Sequence, residues 1–249
     1  MLAYFLRMHT TLPVNEAKNN AHLQANTIYV APHDFDIAID NNHFKLSRPP
    51  SKQVPKASID YFFKSLAESC QEKAIAIVFS GAGSDGANGL KAVKAAGGIT
   101  MAQRPESAKF SSMPKAAIDC AEVDLLVDPA EAAGKLAAIA RNFEKNLGNN
   151  PAQGASDAVN LLIDRILNTT GMDFVNYKSS TINRQIHRRM AILQIEDFDE
   201  YVRFCLENTE ELSRLAYSFL VCVTSFFRDE QSFEALRDAL LTIVFAKST

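Results

Sequence analysis

Ser80-Gly81-Ala82-Gly83-Ser84-Asp85-Gly86 lies between two stretches of opposite character. Before it, Ala74 to Phe79 (Ala-Ile-Ala-Ile-Val-Phe) is an unbroken apolar run, short enough for a strand and apolar enough to be covered on both faces. After it, Ala87 to Ala96 is Ala-rich, carries Leu90 and Val93 at helical spacing, and stops at Gly97-Gly98. Strand, glycine turn and helix make the repeating unit of an open α/β sheet. Such sheets hold their sites in the turn beyond the carboxyl end of the strand. Asp85 is the only ionisable side chain in this turn. It is also an Asx residue before glycine, a common turn former in its own right.

Length and charge narrow the field. The 249 residues allow one or two domains. With 26 basic and 29 acidic residues, the net charge of −3 gives no reason to expect nucleic-acid binding. No apolar run is long enough for a bilayer, so neither a membrane span nor a secretory leader is expected. Cys70, Cys120, Cys205 and Cys222 are scattered and form no Cys-x-x-Cys pair. They read as reduced, mostly buried cytosolic thiols, with no disulfide frame and no metal site.

Outward from the turn, Met1 to Arg7 has Leu2, Phe5 and Leu6 on one helical face. Thr27 to Ala31, Asp36 to Ile39 and His43 to Leu46 read as short strands, with Asp40-Asn41-Asn42 as a turn. Arg48 to Pro55 is a Pro-rich loop, and Lys56 to Ser69 a helix with Ile59, Phe62, Phe63 and Leu66 inward. Ile99 to Gln103 and Val123 to Val127 read as strands, and Pro129 to Asn146 as a helix. Leu147 to Ala155 is polar and turn-rich and is the expected linker. Beyond it everything is helical. Ser156 is the expected cap of a helix over 157–168 that ends at Gly171, and helices follow at 181–193, 197–207, 210–222 and 230–243.

The turn admits two functional readings. Gly81-x-Gly83-x-x-Gly86 satisfies a dinucleotide-binding fingerprint, and Glu106 follows at the spacing of a ribose acceptor. The other reading is a resemblance. Ser80 to Gly89 resembles the segment that supplies the catalytic aspartate in CheB-type chemotaxis receptor methylesterases. Agreement continues through Leu90-Lys91-Ala92, Ala96-Gly97-Gly98, Gln103 to Ala108 and Met113-Pro114-x-x-Ala117-Ile118, and begins at Leu12-Pro13-Val14 and Tyr29-Val30-Ala31-Pro32. It covers roughly residues 2 to 142, far more than a six-residue fingerprint, and so takes precedence. It implies a doubly wound, mostly parallel α/β sheet over residues 1–146, and Asp85 as the acid of a Ser-His-Asp triad that needs no cofactor or metal.

A serine hydrolase needs a nucleophile, a base and an acid to orient the base. In the family that this chain resembles, serine and histidine precede the aspartate, ahead of the point where Met1 falls. No residue here inherits either role by resemblance, and His9, His22, His33 and His43 have no partner motif. A sheet lacking its first strands is expected to expose apolar surface. Ala82 stands where many relatives carry methionine.

The second half has its own resemblance. Met172-Asp173-Phe174-x-x-Tyr177-Lys178, Arg188-Arg189-Met190 and Val223 to Asp229 (Val-Thr-Ser-Phe-Phe-Arg-Asp) are similar to the amino-terminal helical domain of CheR-type receptor methyltransferases. This implies a small all-α domain over 156–249, with S-adenosylmethionine as cofactor only in a full-length methyltransferase. Arg228 matches a family arginine near the cofactor. On the helix over 181–193, Ile182, Ile186, Met190 and Leu193 share one face, and Arg184, His187 and Arg188 fall opposite. The resemblance implies that this basic arc meets an acidic receptor helix; its plainer reading is a solvated face.

The expectation is therefore a cytoplasmic fragment of a bifunctional chemotaxis protein. The complete type demethylates and methylates receptor glutamates, with chemoreceptor helices and other chemotaxis signalling proteins as partners; this chain is expected to be inactive alone. A non-catalytic receptor- or partner-binding module is the alternative, and a dinucleotide-binding protein comes third.

Overall fold

The computed structural model describes residues 2–48, 58–121, 123–147 and 153–220. Helix α1 (Leu2–Arg7) leads into strand β1 (Val14–Glu16), which pairs in parallel with β2 (Ile28–Val30). Strands β3 (Asp36–Asp40) and β4 (His43–Ser47) form an antiparallel hairpin. Asn41 and Asn42, both at positive φ, make its two-residue turn, where asparagine tolerates the left-handed region.

The main sheet follows. Helix α2 (Ser58–Cys70) precedes β5 (Ile75–Val78), α3 (Ala87–Ala95), β6 (Ile99–Gln103), α4 (Ser112–Ala121), β7 (Leu125–Val127) and α5 (Pro129–Leu147). The strands pair in the order β5-β6-β7, all parallel. Strand, helix, strand in this order is the parallel crossover unit expected of the glycine turn. Four helices then complete the described chain: α6 (Gln153–Thr170), α7 (Ser179–Leu193), α8 (Phe198–Glu207) and α9 (Thr209–Leu220).

The sheet is covered on both faces. On one side Ala76, Val78 and Ala102 meet Phe63 and Ala67 of α2, Leu90 and Val93 of α3, and Ala117 of α4. Leu90 and Val93 are fully buried, worth about 1.5–3 kcal/mol each in removed apolar surface. On the other side Ile99, Met101 and Val127 meet Ala132 and Ile139 of α5, together with Ala191 and Ile192 of α7. Helix α7 thus serves two cores, because Ile182, Ile186 and Met190 pack instead with α6, α8 and α9 around Tyr201, Leu212, Leu215 and Phe219.

Several expectations change. All five residues of β6 are buried, whereas β5 alternates between buried and half-buried, because β6 lies between two neighbours and β5 pairs with one described strand. Strand β1 and helix α4 were not anticipated. Val-Asn-Glu carries too little pattern for a strand, and Pro114 disguises α4, although proline is tolerated in a first turn. Helix α6 begins at Gln153, so Ser156 lies inside the helix and is not its cap. Gly171, at φ +74°, does end it, with its amide donating to Leu167 O. The helix expected over 230–243 and most of the linker fall outside the described residues, as does Arg228. On α1, Leu2 and Phe5 are well exposed, in line with the apolar surface anticipated there. Of the three described cysteines only Cys205 is buried, which corrects the expectation of mostly buried thiols.

Candidate active site

The turn after β5 is held by backbone and by short polar side chains. Gly83 and Gly86 sit at φ +92° and +95°. At Gly86 a Cβ would stand 2.9 Å from Ile59 Cγ2 and 3.1 Å from Val78 Cγ2, so this position needs glycine for space as well as for conformation. The Ser80 amide donates to Gln103 Oε1 at 2.9 Å, and Gln103 Nε2 donates to Ser107 O. Phe110 N donates to Ser80 Oγ, Gly81 N to Phe110 O, and Gly83 N to Ser112 Oγ. The separate stretches that carried the first resemblance therefore converge on one place: 80–89, 103–108 and the start of α4.

Asp85 lies half-buried at the centre of this turn. Its carboxylate accepts from two backbone amides at the start of α2, Ile59 N at 3.0 Å to Oδ2 and Asp60 N at 2.9 Å to Oδ1. Asp60 returns the bond. Its Oδ1 accepts from Gly89 N at 2.7 Å in the first turn of α3, and Oδ2 from Asn88 Nδ2 at 3.4 Å. Each carboxylate thus satisfies amides that a helix start leaves unpaired. Helices α2 and α3 approach closely as a result: a Cβ at Gly89 would lie 2.5 Å from Phe63 Cβ and 3.0 Å from Asp60 Cα.

This geometry bears on the two readings of the glycine turn. A dinucleotide pyrophosphate is bound by free amides and positive dipole at a helix N-terminus. Here Asp60 takes the Gly89 amide and brings a negative charge to that end. The dinucleotide reading of Gly81-x-Gly83-x-x-Gly86 is therefore disfavoured: the Gly89 amide is occupied, and its occupant repels phosphate.

A carboxylate has roughly four acceptor positions, and Asp85 spends two. Capacity for an imidazole N–H remains. None of the described histidines supplies it. His9 stacks on Phe5, His22 and His43 meet edge to face at the β3-β4 hairpin, and His33 pairs with Asp34. Ser84 is exposed, with no histidine bonded to it among the described residues.

The basic arc of α7 is divided by the structure. Arg184 is exposed, His187 is half-buried and Arg188 is only 6% exposed. The expectation that all three face solvent together is corrected for Arg188. Its Nε and Nη2 donate to Gly98 O at 3.2 and 3.0 Å, and Nη2 reaches Asp124 Oδ2 at 2.6 Å. That oxygen also accepts from Thr100 N and Thr100 Oγ1. The arc meets the main sheet because α7 covers the sheet's second face. His187 Nδ1 is buried without a partner among the described residues, and burial lowers the pKa of the ring below its ordinary value.

Sequence reasoning passed over a second buried cation. Arg189 makes a bidentate pair with Glu211, Nε to Oε1 at 2.8 Å and Nη2 to Oε2 at 2.5 Å, and Tyr201 OH donates to the same Oε1 at 3.0 Å. Burial first, and the Glu211 charge second, push the Tyr201 phenol up; burial also pushes the Cys205 thiol up to about 11. No spacing rule reports partners such as Asp124 or Glu211, because they lie 64 and 22 residues away.

Comparison with known proteins agrees with this geometry. The family model of the CheB methylesterase matches residues 1–136, and that of the CheR methyltransferase all-alpha domain matches residues 157–220. An uncharacterized 104.1 kDa protein of the hypE 3′ region in Rhodobacter capsulatus is 31% identical over 99% of this chain. A protein-glutamate methylesterase/protein-glutamine glutaminase of Carboxydothermus hydrogenoformans is 36% identical over 55% of it. The chain spans 28% of the first relative and 42% of the second. The crystal structure of the Thermotoga maritima CheB methylesterase catalytic domain superposes with a TM-score of 0.50 at 29% identity, covering 54% of this chain and 74% of that one.

Proposed function

The chain belongs to the CheB methylesterase family, and on that premise we propose that it is part of a bifunctional protein that modifies chemoreceptor glutamates. Residues 2–147 contribute the acid of an ester hydrolase, and the helices from Gln153 onward are the receptor-facing module of a methyltransferase. The observation that carries this reading is Asp85: a carboxylate fixed beyond the carboxyl end of β5, with acceptor capacity to spare. In acyl transfer such a group orients the base histidine and stabilises the imidazolium. The serine and histidine are not among the residues placed beside Asp85. On this reading methanol release requires a nucleophile and a base to be brought to Asp85, and S-adenosylmethionine serves only together with a cofactor-binding domain. Among the described residues no helix is long and apolar enough to cross a membrane, which suits work on the cytoplasmic part of a receptor. Of the basic arc, Arg184 retains the docking role.

Methanol release from a methylated receptor tests the proposal in two arms. The chain alone should release none. A chimera that places the preceding segment of the Thermotoga maritima catalytic domain ahead of residue 2 should release methanol, and Asp85→Asn in it should lower the rate by on the order of 10⁴. Methanol from the chain alone, or a folded chimera indifferent to Asp85→Asn, would reject the proposal.

A further inference from the structure

The two halves of the chain enclose a cavity of about 450 Å³, between the end of α3, the α4-β7 wall, α7 and α9. That volume falls within the range of about 300–1,000 Å³ usual for small-molecule sites. Its apolar lining includes Ile118, Val123 and Leu126. Its lining also carries Arg188, Arg189 and Arg214. Among the described residues Lys94 also lines the space and Asp124 is the single carboxylate there; Glu210 and Glu211, which pair with Arg214 and Arg189, do not line it.

Arg188 and Arg189 are both more than nine-tenths buried. Their hydrogen bonds run through Nε and Nη2 alone, to Gly98 O and Asp124 for one and to Glu211 for the other. Each Nη1 keeps two N–H groups without an acceptor among the described residues. A guanidinium cannot shed its charge to relieve this. Both arginines line the cavity. Unspent guanidinium donors and apolar side chains lining one cavity describe a ligand with a strongly accepting anionic end and an apolar body.

We propose that this cavity binds a phosphate monoester of about mononucleotide size, with its phosphate on Arg188, Arg189 and Arg214 and its body against Ile118 and Leu126. Phosphate suits the site better than carboxylate. It offers three terminal oxygens and close to two charges, enough to accept from several guanidinium edges at once. The inference is independent of the methylesterase proposal, since it uses neither Asp85 nor the glycine turn.

Adenosine 5′-monophosphate is the probe, added to the purified full chain and followed by calorimetry and thermal unfolding. Adenosine supplies the body without the charge, and inorganic phosphate the charge without the body. The nucleotide should bind saturably and raise Tm, with both controls at least about tenfold weaker. Arg214→Gln should weaken nucleotide binding by about tenfold without lowering Tm, because the bond it loses among the described residues is an exposed pair with Glu210. Ile118→Trp, which fills the cavity, should abolish binding. Absence of saturable binding, phosphate binding as tight as the nucleotide, or binding unchanged in a folded Arg214→Gln chain would each overturn the proposal.

Discussion

Asp60 and Asp85 cap each other's helices: the Asp60 amide donates to Asp85 Oδ1 at 2.9 Å, and the Asp60 carboxylate accepts from Gly89 N at the start of α3, two residues beyond the helix's first. The candidate catalytic acid is therefore also a structural member, and its position depends on a residue 25 positions away.

Removal of either carboxylate should cost stability through lost capping. Asp85→Ala and Asp60→Ala are each expected to lower unfolding free energy by about 0.5–2 kcal/mol, with Asp85→Asn milder because one accepting oxygen remains. The double variant should cost less than the two together, since the residues share a network. Urea midpoints of the four proteins check this, and strict additivity would show two independent caps.

Arg188→Ala should be far more damaging than Arg184→Ala. It leaves Asp124 buried without its cation, an effect of about 3–5 kcal/mol. Arg184 is exposed, and losing an exposed contact changes stability by no more than about 1 kcal/mol. Chemical denaturation of both variants decides the point; equal effects would mean that Arg188 does not hold α7 to the sheet.

Two glycines should respond in opposite directions. Gly89→Ala forces a methyl against Phe63 and Asp60 and is expected to destabilise by about 1–3 kcal/mol. Gly134, inside α5 with nothing near its Cβ direction, should gain about 0.5–1 kcal/mol as alanine. Thermal midpoints of the two variants should move apart.

His187 links stability to pH. Its pKa is lower in the folded protein than the ordinary 6.5 because its ring is buried. As pH falls through 6.5 the unfolded chain takes up this proton before the folded one, so stability is lost on the acid side and is unaffected above it. In His187→Leu the fall in Tm between pH 7 and pH 5.5 should be shallower than in the parent chain, the two pH values bracketing the ordinary histidine pKa. Identical slopes would remove His187 from the linkage.

The strand-turn-helix around Asp85 was legible because local rules fix it: an apolar run, glycines where φ is positive, and an apolar stripe in the helix that follows. The Gly171 stop and the bundle-facing stripe of α7 were legible for the same reason. Arg188 was not. A helical wheel divides one inside from one outside, whereas α7 has two insides, the second supplied by the sheet, beside which Asp124 lies 64 residues before Arg188. The Asp60 cap was hidden likewise, since an acidic residue in a first helical turn ordinarily serves its own helix.

That double allegiance of α7 limits how the chain can be divided or recombined. A cut between residues 147 and 153 would strip Ala191 and Ile192 from the sheet and leave Ile99, Met101 and Val127 with part of their cover gone. An exchange of the helical half for that of another protein would have to import a side chain able to serve both Gly98 O and Asp124. The seam between two sequence families is, in three dimensions, a surface that belongs to both.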